Sequence, residues 1–389
     1  MRAVAAAVAA AVLAGLVAGC GGDPAGSDTA SPATGTSAQA VAQSKAGCVA
    51  DIGVMAPYGD RAGTDPSLMN WARLSLDAFN QAHGTAFHIA PADVDGDVAP
   101  GKAAARRFAA DSSVVAVVGP KTSGVTQVVG PILDRAGIPY VSPTATAESL
   151  ADGHLRLFHR VVPDDSLQAQ AIGGFIVGPL GGKRVVVVRN LEPYSTGLAA
   201  GITAYLRAHG ITPIAQVAVR DTQRDMATVV PRIPSDADVL VLPMLEAGQA
   251  ARLVTAVRRS GRNPSIIGGD ALFVPEFARS YGAFVSSYAP DIKGTDAGNQ
   301  AVRIYQGIFG DFSPYGSPAY IAMEVAATAA LEGCEQGRTS RAGTAAALDA
   351  TDLPSIAGLG RVRFLANGNV AGGQYYIYRV VGSGYQLVR

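Results

Sequence analysis

Beyond residue 48 the chain alternates between two hydrophobic rhythms. Short apolar runs bounded by Gly, Pro and Asp read as strands, and stretches with apolar positions three and four apart read as helices. "VADIGVM" from Val49, "FHIAPADV" from Phe87, "VVAVVG" from Val114 and "IPYVSP" from Ile138 are strands on this reading. Between them, Leu68 to Ala82 places Leu68, Ala72, Leu76 and Phe79 on one helical face. "GKAAARRFAADS" from Gly101 and Val125 to Ala136 are further helices, the second stopped by Gly137. The rhythm then repeats. "KRVVVVR" from Lys183, "ITPIAQVAV" from Ile211, "DVLVLP" from Asp238 and "SIIGG" from Ser265 are strands. Ser195 to His209, Met226 to Ile233 (shortened by Pro231) and Ala247 to Ser260 are helices. Toward the C-terminus, helices are predicted over Ala301 to Phe309, Ala319 to Leu331 and Thr344 to Leu348, and strands at "RVRF" from Arg361 and "QYYIYRVV" from Gln374.

Strands alternating with helices predict parallel sheets wound by right-handed crossovers. The nearly pure valine run "VVVV" fits a strand covered on both faces. About ten such units exceed a typical sheet of roughly 5–6 strands. The expectation is therefore an α/β fold of two lobes, each with its own parallel sheet.

Composition narrows the class. The chain has 389 residues, 48% hydrophobic and 16% charged, with a formal net charge of zero. That excludes a disordered chain, and no basic excess points to nucleic acid. At the N-terminus, Arg2 precedes the apolar run Ala3 to Val17, which ends in "LVAGC" at Cys20. The run is too short and wrongly flanked for a resident membrane helix. It resembles a bacterial lipobox, which implies a signal peptide over residues 1–19 and lipidation of Cys20. The alternative is an ordinary secretory signal with a chance cysteine. Residues 20–47 are rich in Gly, Ser, Thr, Ala and Pro without apolar periodicity, the composition of a flexible tether. Export leaves Cys48 and Cys334, which invites a disulfide; two buried free thiols are the other reading.

One stretch carries candidate chemistry. In "VVGPKTSGVTQ" the strand ends at Gly119, hydroxyls cluster at Thr122 and Ser123, and a helix begins. Ligands in open parallel sheets sit beyond the carboxyl ends of strands. A helix start there offers free N–H groups to an anion, so "PKTSG" reads as a carboxylate cradle; plain helix capping by Thr122 or Ser123 is the bland reading.

This turn resembles the corresponding one in the solute-binding proteins of branched-chain amino acid ABC importers, a family with the type I periplasmic-binding-protein fold. The likeness runs in order along the chain beyond the tether: "DIGVMAPYGD", "WARLSLDAFN" (Trp71 at a position usually Gly), "AGIPYVSPTATAESL", "FHRVVPDDSLQAQAIGGFI", "NLEPYSTGL", "LEAGQAARLVTAVRRSG", "IIGGDALFVPEF" and "GRVRFLANGNVAGGQYYIYRV". It implies two Rossmann-like lobes joined by a three-segment hinge. Lobe one would span 49–162 plus 291–372, and lobe two 163–290 plus 373–389. Ser123 matches the serine that binds the ligand carboxylate. Thr144 and Thr146 match the loop where a backbone carbonyl and a threonine meet the amino acid. Tyr194 matches an aromatic that closes over the ligand, and Asp270 the acid that takes the ammonium. Thr122 and Tyr58 are further candidates, Tyr58 lining the side-chain pocket or packing its loop. In the resembled fold Cys48 and Cys334 both lie distal to the cleft, so a bridge between them is expected.

Some positions depart from the family. Lys121 and Thr122 replace smaller or apolar residues, Met244 falls where an aromatic is common, and Asp270 is shorter than the usual glutamate. These leave the ligand side chain open. An enzyme is the main rival class. However, there is no G-x-G-x-x-G after a strand, no Walker A spacing and no G-x-S-x-G. His83, His88, His154, His159 and His209 are scattered without metal-ligand spacing. The expectation is a lipid-anchored extracytoplasmic solute-binding protein, not an enzyme and without cofactor or metal. It would be a monomer whose partners are an amino acid-like ligand and ABC permease subunits, with no nucleic acid and only a lipid anchor to the membrane. A lipid-anchored ligand sensor, an amide- or urea-type solute, and a small-molecule hydrolase are the alternatives.

Overall fold

A computed structural model describes residues 48–59, 65–288, 295–311, 313, 316–335, 338–354 and 360–388. Cys20 and the segment before Cys48 lie outside them. Two seven-stranded sheets organise the described residues.

The first contains β1 (Val49–Ala56), β2 (Ala86–Asp93), β3 (Val114–Val118), β4 (Tyr140–Ser142) and β5 (Phe158–Arg160). They run parallel in the order β2-β1-β3-β4-β5, with Ile52 opposite Ile89 and Val117 opposite Tyr140. The second contains β6 (Val185–Arg189), β7 (Ala215–Ala218), β8 (Val239–Leu242), β9 (Ser265–Gly268) and β10 (Phe284–Ser287). Its order β7-β6-β8-β9-β10 repeats that of the first. The short antiparallel pair β11 (Cys334–Glu335) and β12 (Arg338–Thr339) joins the first sheet at Val49. A small separate pair is formed by β13 (Asp352–Pro354) and β14 (Arg361–Arg363). The final strands β15 (Tyr376–Val381) and β16 (Gly384–Leu387) extend the second sheet antiparallel from β10.

Helices cover both faces of each sheet, as parallel strands require. On the first sheet, α1 (Ser67–His83) covers one face, while α2 (Val98–Ala110) and α3 (Ser123–Arg135) cover the other. On the second, α4 (Asp165–Val177) and α5 (Pro193–Ala208) lie opposite α6 (Ala247–Arg259). The C-terminal helices α7 (Asp296–Phe309), α8 (Pro318–Glu332) and α9 (Arg341–Asp349) return to the first sheet beside α1. The apolar core divides accordingly into two clusters per sheet, one on each face. Two lobes therefore have independent cores, and the chain passes between them after β5, after Tyr288 and between Val370 and Tyr376.

The predicted strands and helices of the first sheet all appear, with boundaries moved by a few residues. Met226–Arg232 forms a 3₁₀ turn where an α-helix was expected, with Pro231 inside it. The helix α4 carried no sequence prediction. Its apolar residues occur all round, because it is wedged between the second sheet and α5. There, an added Cβ at Gly173 would stand 2.3 Å from Tyr205. The strands β10 and β16 also went unpredicted, being short and mixed in polarity.

Cys48 and Cys334 are disulfide-bonded, with Cα atoms 6.4 Å apart. Both are buried in the apolar cluster of the first lobe.

Candidate functional site

A cleft of about 640 Å³ opens between the lobes and is walled by both. Its inner wall is built from the carboxyl ends of β3, β4, β6 and β9, where the strand order of each sheet places a ligand crevice.

On the first lobe, β3 ends in Gly119, whose φ of 104° suits glycine. A Cβ there would meet the Met55 carbonyl at 2.5 Å, so the turn presses directly against β1. Thr122 is the N-cap of α3, its hydroxyl accepting from the Val125 amide at 3.4 Å. Ser123, in the first turn, is 3% exposed. Its Oγ accepts from the Ala147 amide at 3.1 Å, which leaves the hydroxyl hydrogen free to donate into the cleft. The next loop is held against it. Ser142 donates to the Pro120 carbonyl at 2.7 Å, and Thr144 donates to the Lys121 carbonyl at 2.6 Å. The buried Thr146 hydroxyl leans toward Asp165 without closing a hydrogen bond of normal length.

On the second lobe, Glu192 caps α5 by accepting from the amides of Tyr194 and Ser195, which fixes Tyr194 at the helix start. The Tyr194 hydroxyl donates to Asp270 Oδ1 at 2.8 Å, and Gln168 Nε2 donates to the same oxygen at 2.7 Å. Asp270 opens a 3₁₀ turn after β9 and is 1% exposed. Asp165 stands beside it at the start of α4, also buried, with neither carboxyl oxygen hydrogen-bonded. Burial first, and the Asp270 charge second, push the Asp165 carboxyl well above the usual carboxylate range, against the opposing pull of Thr146 and Arg160. Of these two neighbouring carboxyls Asp270 is the one that lines the cleft, and a cation arriving beside it would favour the ionised form of both.

The mouth of the cleft is more polar. Lys121 bridges to Asp95 at 3.2 Å on the first lobe, and Glu246 faces them from the second. Burial raises the Glu246 carboxyl, with Asp221 and Asp95 adding to it and Lys121 opposing. Leu68, Tyr305, Phe309, Leu245 and Val274 supply apolar wall. Trp71, where the resembled family has glycine, stacks on Tyr305 at 4.4 Å and so backs that wall.

Of the residues singled out in the sequence, Thr122, Ser123, Thr144, Thr146, Tyr194 and Asp270 all line this cleft. Tyr58 does not. Its amide donates to Asp93 at 3.1 Å and its ring packs on the first-lobe core, which leaves it packing its own loop. Met244 is buried in the second-lobe core, and its neighbour Leu245 reaches the cleft instead. Asp165 and Gln168 were not singled out. The signal was present in "PDDSLQ", where one aspartate caps a helix and a second has no cap to make. Among the described residues there is no cluster of His, Cys, Asp and Glu able to hold a metal ion, and no helix long and apolar enough to cross a membrane.

A family model described as "Periplasmic binding protein" matches residues 50–385. The chain is 27% identical over 336 residues to the Leu/Ile/Val-binding protein BraC3 of Rhizobium johnstonii, covering 84% of this chain and 90% of that protein. Among solved structures, the branched-chain amino acid transporter substrate-binding protein LivJ of Streptococcus pneumoniae, in complex with isoleucine, superposes with a TM-score of 0.75. It is 20% identical, with 87% of this chain and 99% of that one covered. A solute-binding protein of an ABC transporter from Rhodopseudomonas palustris, in complex with p-hydroxybenzoic acid, gives a TM-score of 0.74 at 14% identity, covering 88% and 95%. The fold is thus shared by binders of different small acids.

Proposed function

This chain belongs to the periplasmic binding protein family, and from that premise we propose that it is an extracytoplasmic solute-binding protein of an ABC importer for a small α-amino acid. The carrying observation is the polarity of the cleft. A hydroxyl donor at a helix start, Ser123, lines the cleft from one lobe, and the buried acid Asp270, electrostatically coupled to the buried Asp165, lines it from the other. A zwitterion matches that arrangement end for end, carboxylate to donors and ammonium to acids. The aromatic acid held by the Rhodopseudomonas relative has no ammonium, and a buried acid pair would repel it. Binding across two lobes stabilises the closed state by differential contact, the form that would dock on permease subunits. No step of this requires bond making in the ligand. A thermal-shift screen of residues 20–389 against the amino acids and small amides tests the reading: a specific ligand raises the melting temperature, and a flat response to every amino acid would reject it.

Ser123→Ala removes one charge-assisted hydrogen bond, worth roughly 1.5–3 kcal/mol. Affinity for the amino acid should then fall about tenfold to a hundredfold, read by calorimetric titration. An unchanged affinity would move the carboxylate elsewhere.

Binding should also be linked to protons. The neutral form of Asp165 is favoured in the folded, empty protein, so this group's contribution to stability is full below its unfolded-state pKa of about 3.9 and is lost as pH rises through its raised folded value. An ammonium beside the acid pair favours ionisation. Below the raised value, ligand binding therefore releases up to about one proton, and affinity rises with pH until the pair is ionised. Titrations in two buffers of different ionisation enthalpy measure this release, and Asp165→Asn should abolish it.

Export is part of the same proposal. Cys20 carries the lipid, and residues 20–47 tether the body. Cys20→Ala should move the protein from the membrane fraction to the soluble one; retention in the membrane would exclude the anchor.

A further inference from the structure

A buried arginine stands behind the cleft and touches neither the proposed ligand groups nor solvent. Arg160 closes β5 and is fully buried. Its Nε donates to Asn369 Oδ1 at 2.7 Å, and its Nη1 donates to the carbonyls of Ala145 at 3.2 Å and Ala147 at 2.8 Å. Its Nη2 lies 3.6 Å from Asp164 Oδ2, and Asn369 Nδ2 donates to that same oxygen at 2.8 Å. The other Asp164 oxygen accepts from the amides of Ser166 and Leu167, capping the first helix of the second lobe. One guanidinium thus joins the loop that contacts Ser123, the first crossing between lobes, and the chain leading into the third crossing. The links to the site are direct. The Ala147 amide is the one bonded to Ser123, and the Asp165 amide donates to the Thr146 carbonyl at 2.9 Å.

Resting on the solute-binding reading above, we propose that Arg160, Asn369 and Asp164 form a positioning node that couples occupancy of the cleft to rotation of the lobes. Arg160 and Asn369 belong to the first lobe, whereas Asp164 caps a helix of the second, so the Asp164 contacts span the hinge segment itself. A buried cation tolerates little loss of partners. Nη2 already has no hydrogen bond, only the 3.6 Å approach to Asp164, so a lobe rotation that breaks a further contact is costly, which favours discrete lobe arrangements over a continuum. A ligand that pulls on Ser123 and the loop behind it pulls on Arg160 through Ala145 and Ala147, and the node passes that displacement to the start of α4.

The test is the interlobe distance distribution, measured between spin labels on non-native amino acids placed at the exposed positions Arg106 and Arg207, which leaves the disulfide untouched. Asn369→Leu keeps the approximate volume and removes both hydrogen bonds. In ligand-free protein it should shift the population away from the parental distance by about tenfold, equivalent to about 1.4 kcal/mol. Arg160→Lys, which keeps the charge and loses the fork, should shift it the same way. An equimolar mixture of the twenty L-amino acids should narrow the parent to one distance and narrow Asn369→Leu less. If both variants match the parent with and without the mixture, while melting cooperatively, Arg160 is only a core contact and the node is overturned. If the parent itself ignores the mixture, the amino acid reading fails, and the ligand-free shift still decides whether the node governs the hinge.

Discussion

Replacing Asp270 with alanine should weaken amino acid binding more than any other single substitution in the cleft. In the proposed complex its carboxylate is the charge that meets the ligand ammonium inside a closed, dry site. Removing one partner of an enclosed ion pair costs on the order of 3–5 kcal/mol, roughly a hundredfold to several thousandfold in affinity. Asp270 also accepts from Tyr194 at 2.8 Å and from Gln168 at 2.7 Å, so alanine leaves the Tyr194 hydroxyl without that acceptor, costs Gln168 one of its two (Ser286 remains) and lowers stability as well. Asp270→Asn separates the two effects. It keeps an oxygen for Tyr194 and loses the charge, so it should retain most of the stability and lose most of the binding. Calorimetric titration and thermal melting of both variants give the comparison. Because Asp270 sits on the second lobe and Ser123 on the first, its loss should also leave the lobes less closed at saturating ligand.

The disulfide should carry the largest single contribution to folding of the first lobe. It joins residues 286 positions apart, and both cysteines are buried beside β1 and α8. Closing so long a loop in the unfolded chain is worth about 2–5 kcal/mol. The paired Cys48→Ser, Cys334→Ser variant should therefore lower the melting temperature by about 5–20 °C. Since the apolar cores of the lobes are separate, the second lobe should keep its own transition, and the melt should split into two. A variant that melts like the parent, in one step, would show that the bridge constrains little.

Much of this organisation was legible in the chain. Apolar runs such as "VVAVV" and "VVVVR" mark central parallel strands because both their faces are covered, and that burial leaves no polar alternation to misread. The hydroxyls after Gly119 pointed to the strand end that lines the cleft, since capping and ligand binding call on the same residue types at the same place. Other features were hidden for physical reasons. The helix α4 is buried on most sides, so it has no amphipathic stripe to detect. Asp165 looks like any first-turn acid in sequence. Only the fold brings it beside Asp270, a residue 105 positions away by numbering, and removes its water. Tyr58 was ambiguous because a tyrosine after a strand can face a cleft or its own core, and the core its ring packs against is assembled from distant segments of the chain. Arg160 gave no signal as a hinge residue, because its partners Ala145, Asp164 and Asn369 come from three separate segments.

The most direct measurement is a calorimetric comparison of three ligands: the amino acid that gives the largest thermal shift, the same molecule without its amino group, and its carboxamide. The two ends of the cleft, Ser123 and Asp270, should make the intact zwitterion bind best, with the des-amino analogue weakened by two orders of magnitude or more, as loss of the enclosed ion pair implies (~3 kcal/mol or above), and the carboxamide weakened by at least about tenfold. A des-amino acid that binds as tightly as its parent would contradict the ammonium contact at Asp270, and with it the assignment of an amino acid to this cleft.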